Sequence, residues 1–165
     1  MKRLGETNLI WHTRKNQTNS KNRNQTTNDG VQMVNLFPGV PAECLCDKHL
    51  NAVLAEYNNL LMPSMRKGNS VYRYMLHGCI DLPYTYSRIY ECLAEATLRG
   101  KVWKYKNPTK EDQKMIEEYF KTAIVDLGKE FFGDERRKEM GEMNKMILSF
   151  RCQECRKRIE EFHNY

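Results

Sequence analysis

Apolar residues recur at three- and four-residue steps through Leu50, Val53, Leu54, Tyr57, Leu60 and Leu61, which predicts an amphipathic helix with one face toward a core. The same step returns at Tyr86, Ile89, Tyr90, Leu93 and Leu98, with Gly100 placed as a C-cap. A third run, Met115, Ile116, Tyr119, Phe120, Ile124 and Leu127, follows the break at Asn107-Pro108 and the capping-box pattern Thr109 to Asp112. A fourth begins at Asp134 and carries Met140, Met143, Met146, Ile147, Phe150, Cys155, Ile159 and Phe162 at helical spacing, its methionines read as core or as a seam for a partner helix. The predicted helices cover residues 43–61, 84–99, 110–132 and 134–162. Pro63 and Arg66-Lys67-Gly68-Asn69-Ser70 end the first, and Tyr72 to Leu82 is left open between a short helix and a loop. No stretch alternates with period two over a strand's length, so the expected class is all-α, a compact domain of about four helices.

Residues 12–30 hold no apolar side chain and cannot offset the entropy of ordering, which predicts a disordered tail over residues 1–32 with order starting near Val31 to Leu36. Lys2, Arg3, Arg14, Lys15, Lys21 and Arg23 outweigh Glu6 and Asp29, so the tail holds most of the chain's formal charge of +6. A basic balance suits phosphate, but one concentrated in a tail predicts non-specific attraction and says little about a site. No apolar run is long enough to span a bilayer and the first residues lack a signal peptide's apolar core, so the expectation is a cytoplasmic protein without a membrane partner.

Chemistry enters on the first helix. His49 and Glu56 are seven residues apart, about two turns, and so lie nearly in line along the rim of the apolar stripe. The six cysteines fall as Cys44 and Cys46, single Cys79 and Cys92, then Cys152 and Cys155, which is not a secreted disulfide framework. Cys152-Gln-Glu-Cys155 offers half a zinc site, with His77-Gly-Cys79 or Cys44-Leu-Cys46-Asp-Lys-His49 supplying the rest. Both cysteines read as lying on one continuous helix, however, whereas a zinc knuckle sits on a turn, so reduced, half-buried thiols are expected and no metal ligand is assigned. With no strand before the motif, a thioredoxin-like dithiol is not expected either.

Val40-Pro41-Ala42-Glu43-Cys44-Leu45-Cys46-Asp47-Lys48-His49-Leu50, preceded by Asn35-Leu36, resembles the opening of the phage pyrimidine-dimer DNA glycosylases of the endonuclease V type. Met65 to Asn69 is similar to the basic-glycine turn of small phage relatives. Ser87 to Gly100, with Arg88, Glu91, Glu95, Arg99 and Gly100 in register, is similar to a second helix of that family. The resemblance covers roughly residues 33–109, leaving 110–165 as a C-terminal helical pair packing on the core.

The resemblance implies a DNA repair glycosylase and abasic-site lyase acting on duplex DNA without a cofactor. An N-terminal α-amine attacks the sugar carbon of the damaged nucleotide, a Schiff base forms, and elimination cuts the strand. An α-amine titrates near 7.7–8.0, so roughly a tenth is a free nucleophile at neutral pH, against less than about a thousandth of a lysine. The family's glutamate, seven residues after its signature histidine, falls on Glu56. The implied catalytic set is Val34, exposed as the amine if the chain starts at Met33 and loses it, with His49 and Glu56. An amine at Met1 would instead end a tail spreading over roughly 30 Å. Family arginines near the glutamate fall on Ala55 and Asn59 here, so Lys48, Arg66, Lys67 and Arg88 are the implied DNA contacts. The alternative is a non-catalytic DNA- or protein-binding helical module, zinc-stabilised in one version.

Overall fold

The computed structural model describes residues 33–101 and 106–164 and is all-α, with no strand among the described residues. The expected tail of residues 1–32 lies outside them. In chain order the helices are α1 Asp47–Glu56, α2 Met62–Arg66, α3 Tyr72–Leu76, α4 Thr85–Leu98, α5 Lys110–Leu127, α6 Asp134–Arg151 and α7 Gln153–His163. One buried apolar cluster runs from Met33 and Val34 through Leu54, Tyr57 and Ile89 to Ile116, Leu148 and Ile159, so the C-terminal helices share the core of the first ones.

Pro63 does not end the first helical run. The backbone stays helical through it because residues Tyr57–Leu61 open into a π turn, in which the Met62 N–H reaches back five residues to the Tyr57 carbonyl. Widening by one residue accommodates a proline that brings no N–H and would otherwise crowd the preceding turn. The helix carries on as α2, fastened from outside by Asp112. That carboxylate accepts from Arg66 Nη2 at 3.0 Å and Tyr57 Oη at 3.3 Å, and completes the capping box with Thr109 at the start of α5. The open segment 72–82 resolves into α3 and a loop, with a single 3₁₀ turn over Leu82–Tyr84.

Helix α5 stops at Gly128 rather than at 132. The predicted fourth helix is two. Cys152 leaves the helical region, with φ −139° and ψ 112°, and its Sγ caps the start of α7 by accepting from the Cys155 N–H.

The inward face of α6 also differs from the predicted one. Met140, Gly141, Asn144 and Leu148 are buried, while Met146 and Phe150 are 73% and 92% exposed. Leu98 of α4 points out as well. Part of the reason lies in what the Gly141–Asn144 stretch of α6 packs against, which is backbone. Asn144 Nδ2 donates to the carbonyls of Pro38 and Gly78, both at 3.1 Å, and Gly141 lies directly on Gly39, itself at φ +80°. A Cβ on Gly141 would come within 2.7 Å of the Gly39 carbonyl oxygen. Alanine is favoured over glycine inside a helix by about 1 kcal/mol, but overpacking against unyielding backbone costs typically about 1–3 kcal/mol. Gly141→Ala is therefore expected to lower the unfolding free energy by up to about 2 kcal/mol, read from the urea midpoint; a raised midpoint would contradict this contact.

Candidate functional site

The loop of residues 35–42 carries the first group of interest, and it is held by α4. Arg88 is buried, 8% exposed, and its guanidinium donates to the carbonyls of Leu36 at 3.0 Å, Phe37 at 3.0 Å and Val40 at 2.6 Å while pairing with Glu91 at 3.0 Å. Glu91 in turn accepts from the Ala42 N–H. Within the loop Asn35 Oδ1 accepts from the Phe37 N–H at 2.6 Å, and Phe37 sits at φ +48°, a conformation that non-glycine residues adopt only when their surroundings over-determine it.

This clamp sets the backbone of Asn35 against α1. The Asn35 N–H donates to Glu56 Oε2 at 2.7 Å, and the next N–H, of Leu36, donates to the Cys79 carbonyl at 2.8 Å. Glu56 is the last residue of α1, immediately before the π turn, a local widening that often accompanies functional positions. Its side chain is half-buried, keeping an edge toward solvent, and burial of the carboxyl pushes its pKa up to about 8 although the Asn35 bond pulls the other way. Burial, followed by the Glu56 charge nearby, raises the Cys79 thiol to about 12, so Cys79 stays protonated beside it. A carboxyl titrating close to neutral pH can both hold and release a proton under ordinary conditions.

His49 does not join Glu56. Seven residues bring the two side chains to one edge but leave them about 10 Å apart along the axis, and His49 is turned to a different cluster. Its Nδ1 lies 3.2 Å from Cys46 Sγ and 3.3 Å from Cys155 Sγ, and Cys46 Sγ lies 3.8 Å from Cys152 Sγ. The four ligand atoms of Cys46, His49, Cys152 and Cys155 are all within 4.8 Å of one another. The premise for assigning no metal ligand fails here, because the helix breaks at Cys152 and the Cys-x-x-Cys pair sits on a turn after all. Hydrogen bonds from Cys155 and His49 draw the Cys46 thiol well below the ordinary thiol range, and the same shared proton raises Cys155.

Of the expected DNA contacts, Lys48 and Lys67 are exposed, Arg66 is half-exposed but tied to Asp112, and Arg88 is removed from the surface altogether. Arg88 reads as a loop clamp because its long stem carries the guanidinium under the 36–40 backbone. The roomiest cavity among those described, about 420 Å³, lies along the same loop between Pro38, Tyr84, Arg88 and Arg137. Neither Asn35 nor Glu56 lines it, so the space and the poised carboxyl are at different places. A smaller cavity of about 100 Å³ borders the cysteine cluster at Lys48, His49 and Cys152. Compared with known proteins, the chain matches no family model, no curated protein and no solved structure.

Sequence reasoning considered the cysteine cluster and set it aside on the expectation of a continuous helix through Cys152, and it missed Asn35 as the partner of the carboxyl. The signal for the first was present in two equal spacings, Cys46-x-x-His49 and Cys152-x-x-Cys155.

Proposed function

We propose that this chain is a DNA glycosylase and abasic-site lyase of the Schiff-base type, acting on damaged duplex DNA, with Glu56 as its proton-transferring carboxyl. The observation that carries the reading is the Asn35 N–H bond to Glu56 Oε2 at 2.7 Å. One residue of chain spans at most about 3.6 Å, so the Val34 nitrogen is within about 6 Å of that oxygen. If that nitrogen is a free amine, it lies beside the carboxyl, which is the pairing the chemistry needs; Val34 is buried, so removal of the residues before it would also have to open room for the sugar.

The amine attacks the sugar C1′, the bond from C1′ to the base breaks with its electron pair leaving on the base, the base takes up the proton that the attacking nitrogen sheds, and opening of the sugar ring leaves a protonated imine. Removal of a proton from C2′ then expels the 3′ phosphate and cuts the strand. Glu56 delivers the proton that the ring oxygen takes up and, once ionised, stabilises the iminium and accepts the C2′ proton. A pKa of about 8 keeps both of its states populated in the working range. Lys48 and Lys67 are the exposed cations that would meet phosphate, which makes duplex binding weak and steeply salt-dependent.

A chain begun at Met33, with that methionine removed, is expected to be trapped covalently by borohydride on ultraviolet-irradiated or abasic duplex DNA. The 165-residue chain is expected to be slower or inactive in the same assay. If neither forms an adduct, the lyase reading is lost and a non-catalytic DNA- or protein-binding module takes its place.

A further inference from the structure

Two helices point their N-termini at one spot, and each brings a pair of ligand-type side chains with the same spacing. Cys46 is the N-cap of α1 and His49 its third residue; Cys152 is the N-cap of α7 and Cys155 its third residue. We propose that Cys46, His49, Cys152 and Cys155 bind one structural zinc ion, His49 through Nδ1 and the three cysteines as thiolates.

The distances fit a tetrahedron. With Zn–S near 2.3 Å and Zn–N near 2.0–2.1 Å, a tetrahedral site has S···S edges of about 3.8 Å and S···N edges of about 3.6 Å. The Cys46–Cys152 edge is 3.8 Å, the His49 edges to Cys46 and Cys155 are 3.2 and 3.3 Å, and no edge of the cluster exceeds 4.8 Å. Seating an ion asks for shifts of a few tenths of an ångström on the His49 edges to Cys46 and Cys155 and of at most about 1 Å on any other.

Two backbone groups already serve the sulfurs. The Cys46 N–H donates to Cys155 Sγ at 3.3 Å, and the Cys155 N–H donates to Cys152 Sγ at 3.4 Å. Bonds of this kind gain strength when the acceptor is a thiolate, and they orient metal-bound sulfur from outside. Electrostatics argues the same way. Each helix N-terminus carries roughly half a positive charge, and two of them facing each other repel unless something negative lies between. Three thiolates and a divalent ion leave a net charge of −1, which answers both ends at once.

The rival explanations account for less. A disulfide needs sulfurs about 2.05 Å apart and would use two of the three cysteines while leaving the third and His49 without a role. A cluster of neutral thiols offers only weak donors to one ring nitrogen, too little to draw together residues more than a hundred positions apart. The donor set also selects the ion. Thiolate and imidazole in a tetrahedron exclude magnesium and calcium and suit zinc, and four protein ligands with no position left for water mark a structural rather than a catalytic site. The small cavity at Lys48, His49 and Cys152 gives the ion a way in. Bound there, zinc ties the last helix to the start of α1, the helix that ends on Glu56.

The 165-residue chain, purified without chelator, is expected to hold one zinc per chain by elemental mass spectrometry. The Cys152→Ser/Cys155→Ser double variant is expected to lose at least tenfold in occupancy. Cys92→Ala, which alters a buried cysteine outside the cluster, is expected to keep the ion. Because the double variant can fail to fold, the wild-type chain carries its own test: cobalt(II) exchanged into it should give the strong visible bands of a tetrahedral site together with thiolate-to-cobalt charge transfer. A folded wild-type chain that takes up neither ion overturns the proposal. So does iron as the resident metal, a Cys46–Cys152 disulfide, or zinc that persists in the double variant.

Discussion

Glu56→Gln is expected to lower strand cleavage by a chain begun at Val34 by at least about 10²–10⁴-fold, the usual worth of a positioned acid–base group, while changing duplex affinity less than about twofold. Glutamine keeps the shape, and its amide oxygen can still accept from the Asn35 N–H. What it loses is the proton and the charge. The same substitution is expected to stabilise the fold at alkaline pH. An unfolded glutamate titrates near 4.3, and folded Glu56 titrates at about 8 because it is desolvated. Between those values the native state holds a proton that the unfolded state has released, so stability falls as pH rises through that window.

Glutamine carries no such penalty. The variant should therefore match the wild type near pH 4 and exceed it above about pH 8, by about 2–4 kcal/mol once partial exposure is discounted. Urea midpoints of both proteins at about pH 5 and pH 9 decide the matter. An equal gap at the two values would mean that the carboxyl titrates normally and is not poised for proton transfer.

The two results together would mark Glu56 as a group kept for chemistry rather than for packing. The same position was legible in the sequence, because a period of 3.6 puts Glu56 on the rim of an apolar stripe however the rest of the chain packs. The bounds of α4 and the capping box at Thr109 were legible for a similar reason, since each depends on neighbours a few residues away. His49 shows where that reading stops. Periodicity gives an azimuth on a helix, and two residues sharing an azimuth two turns apart need not meet.

The break at Cys152 was hidden because apolar spacing continues across it, from Ile147 and Leu148 into Cys155 and Ile159. A helix interrupted by one extended residue can keep its stripe while turning. Hydrophobic spacing alone groups Met146 and Phe150 with the packed face, whereas that face of α6 rests in part on carbonyls and a glycine and so needs Gly141 and Asn144. Contacts made to backbone leave little trace in a hydrophobic pattern. Asn35 and Arg88 are further cases of the same kind, one donating from backbone to a carboxyl and the other from a side chain to three carbonyls.

Arg88→Ala is expected to cost about 3–5 kcal/mol, the range for removing one partner from a buried charged network. The reasoning can be made carbonyl by carbonyl. Leu36, Phe37 and Val40 each lose a charge-assisted bond, and a buried acceptor left unpaired costs about 1–3 kcal/mol, reduced here because the adjoining cavity of about 420 Å³ can admit water. Phe37 compounds the loss, since its φ of +48° is sustained in part by the guanidinium on its carbonyl. Arg88→Lys should recover only a fraction, because an ammonium cannot reproduce a planar fork that reaches three carbonyls. The measurement that separates this from a phosphate contact is the salt dependence of DNA binding under conditions where the variant is still folded. A phosphate-binding arginine, once removed, flattens the slope of log affinity against log salt by about one and leaves the urea midpoint in place. Here the midpoint is expected to fall and the slope to stay, and the opposite pair of results would return Arg88 to the DNA interface.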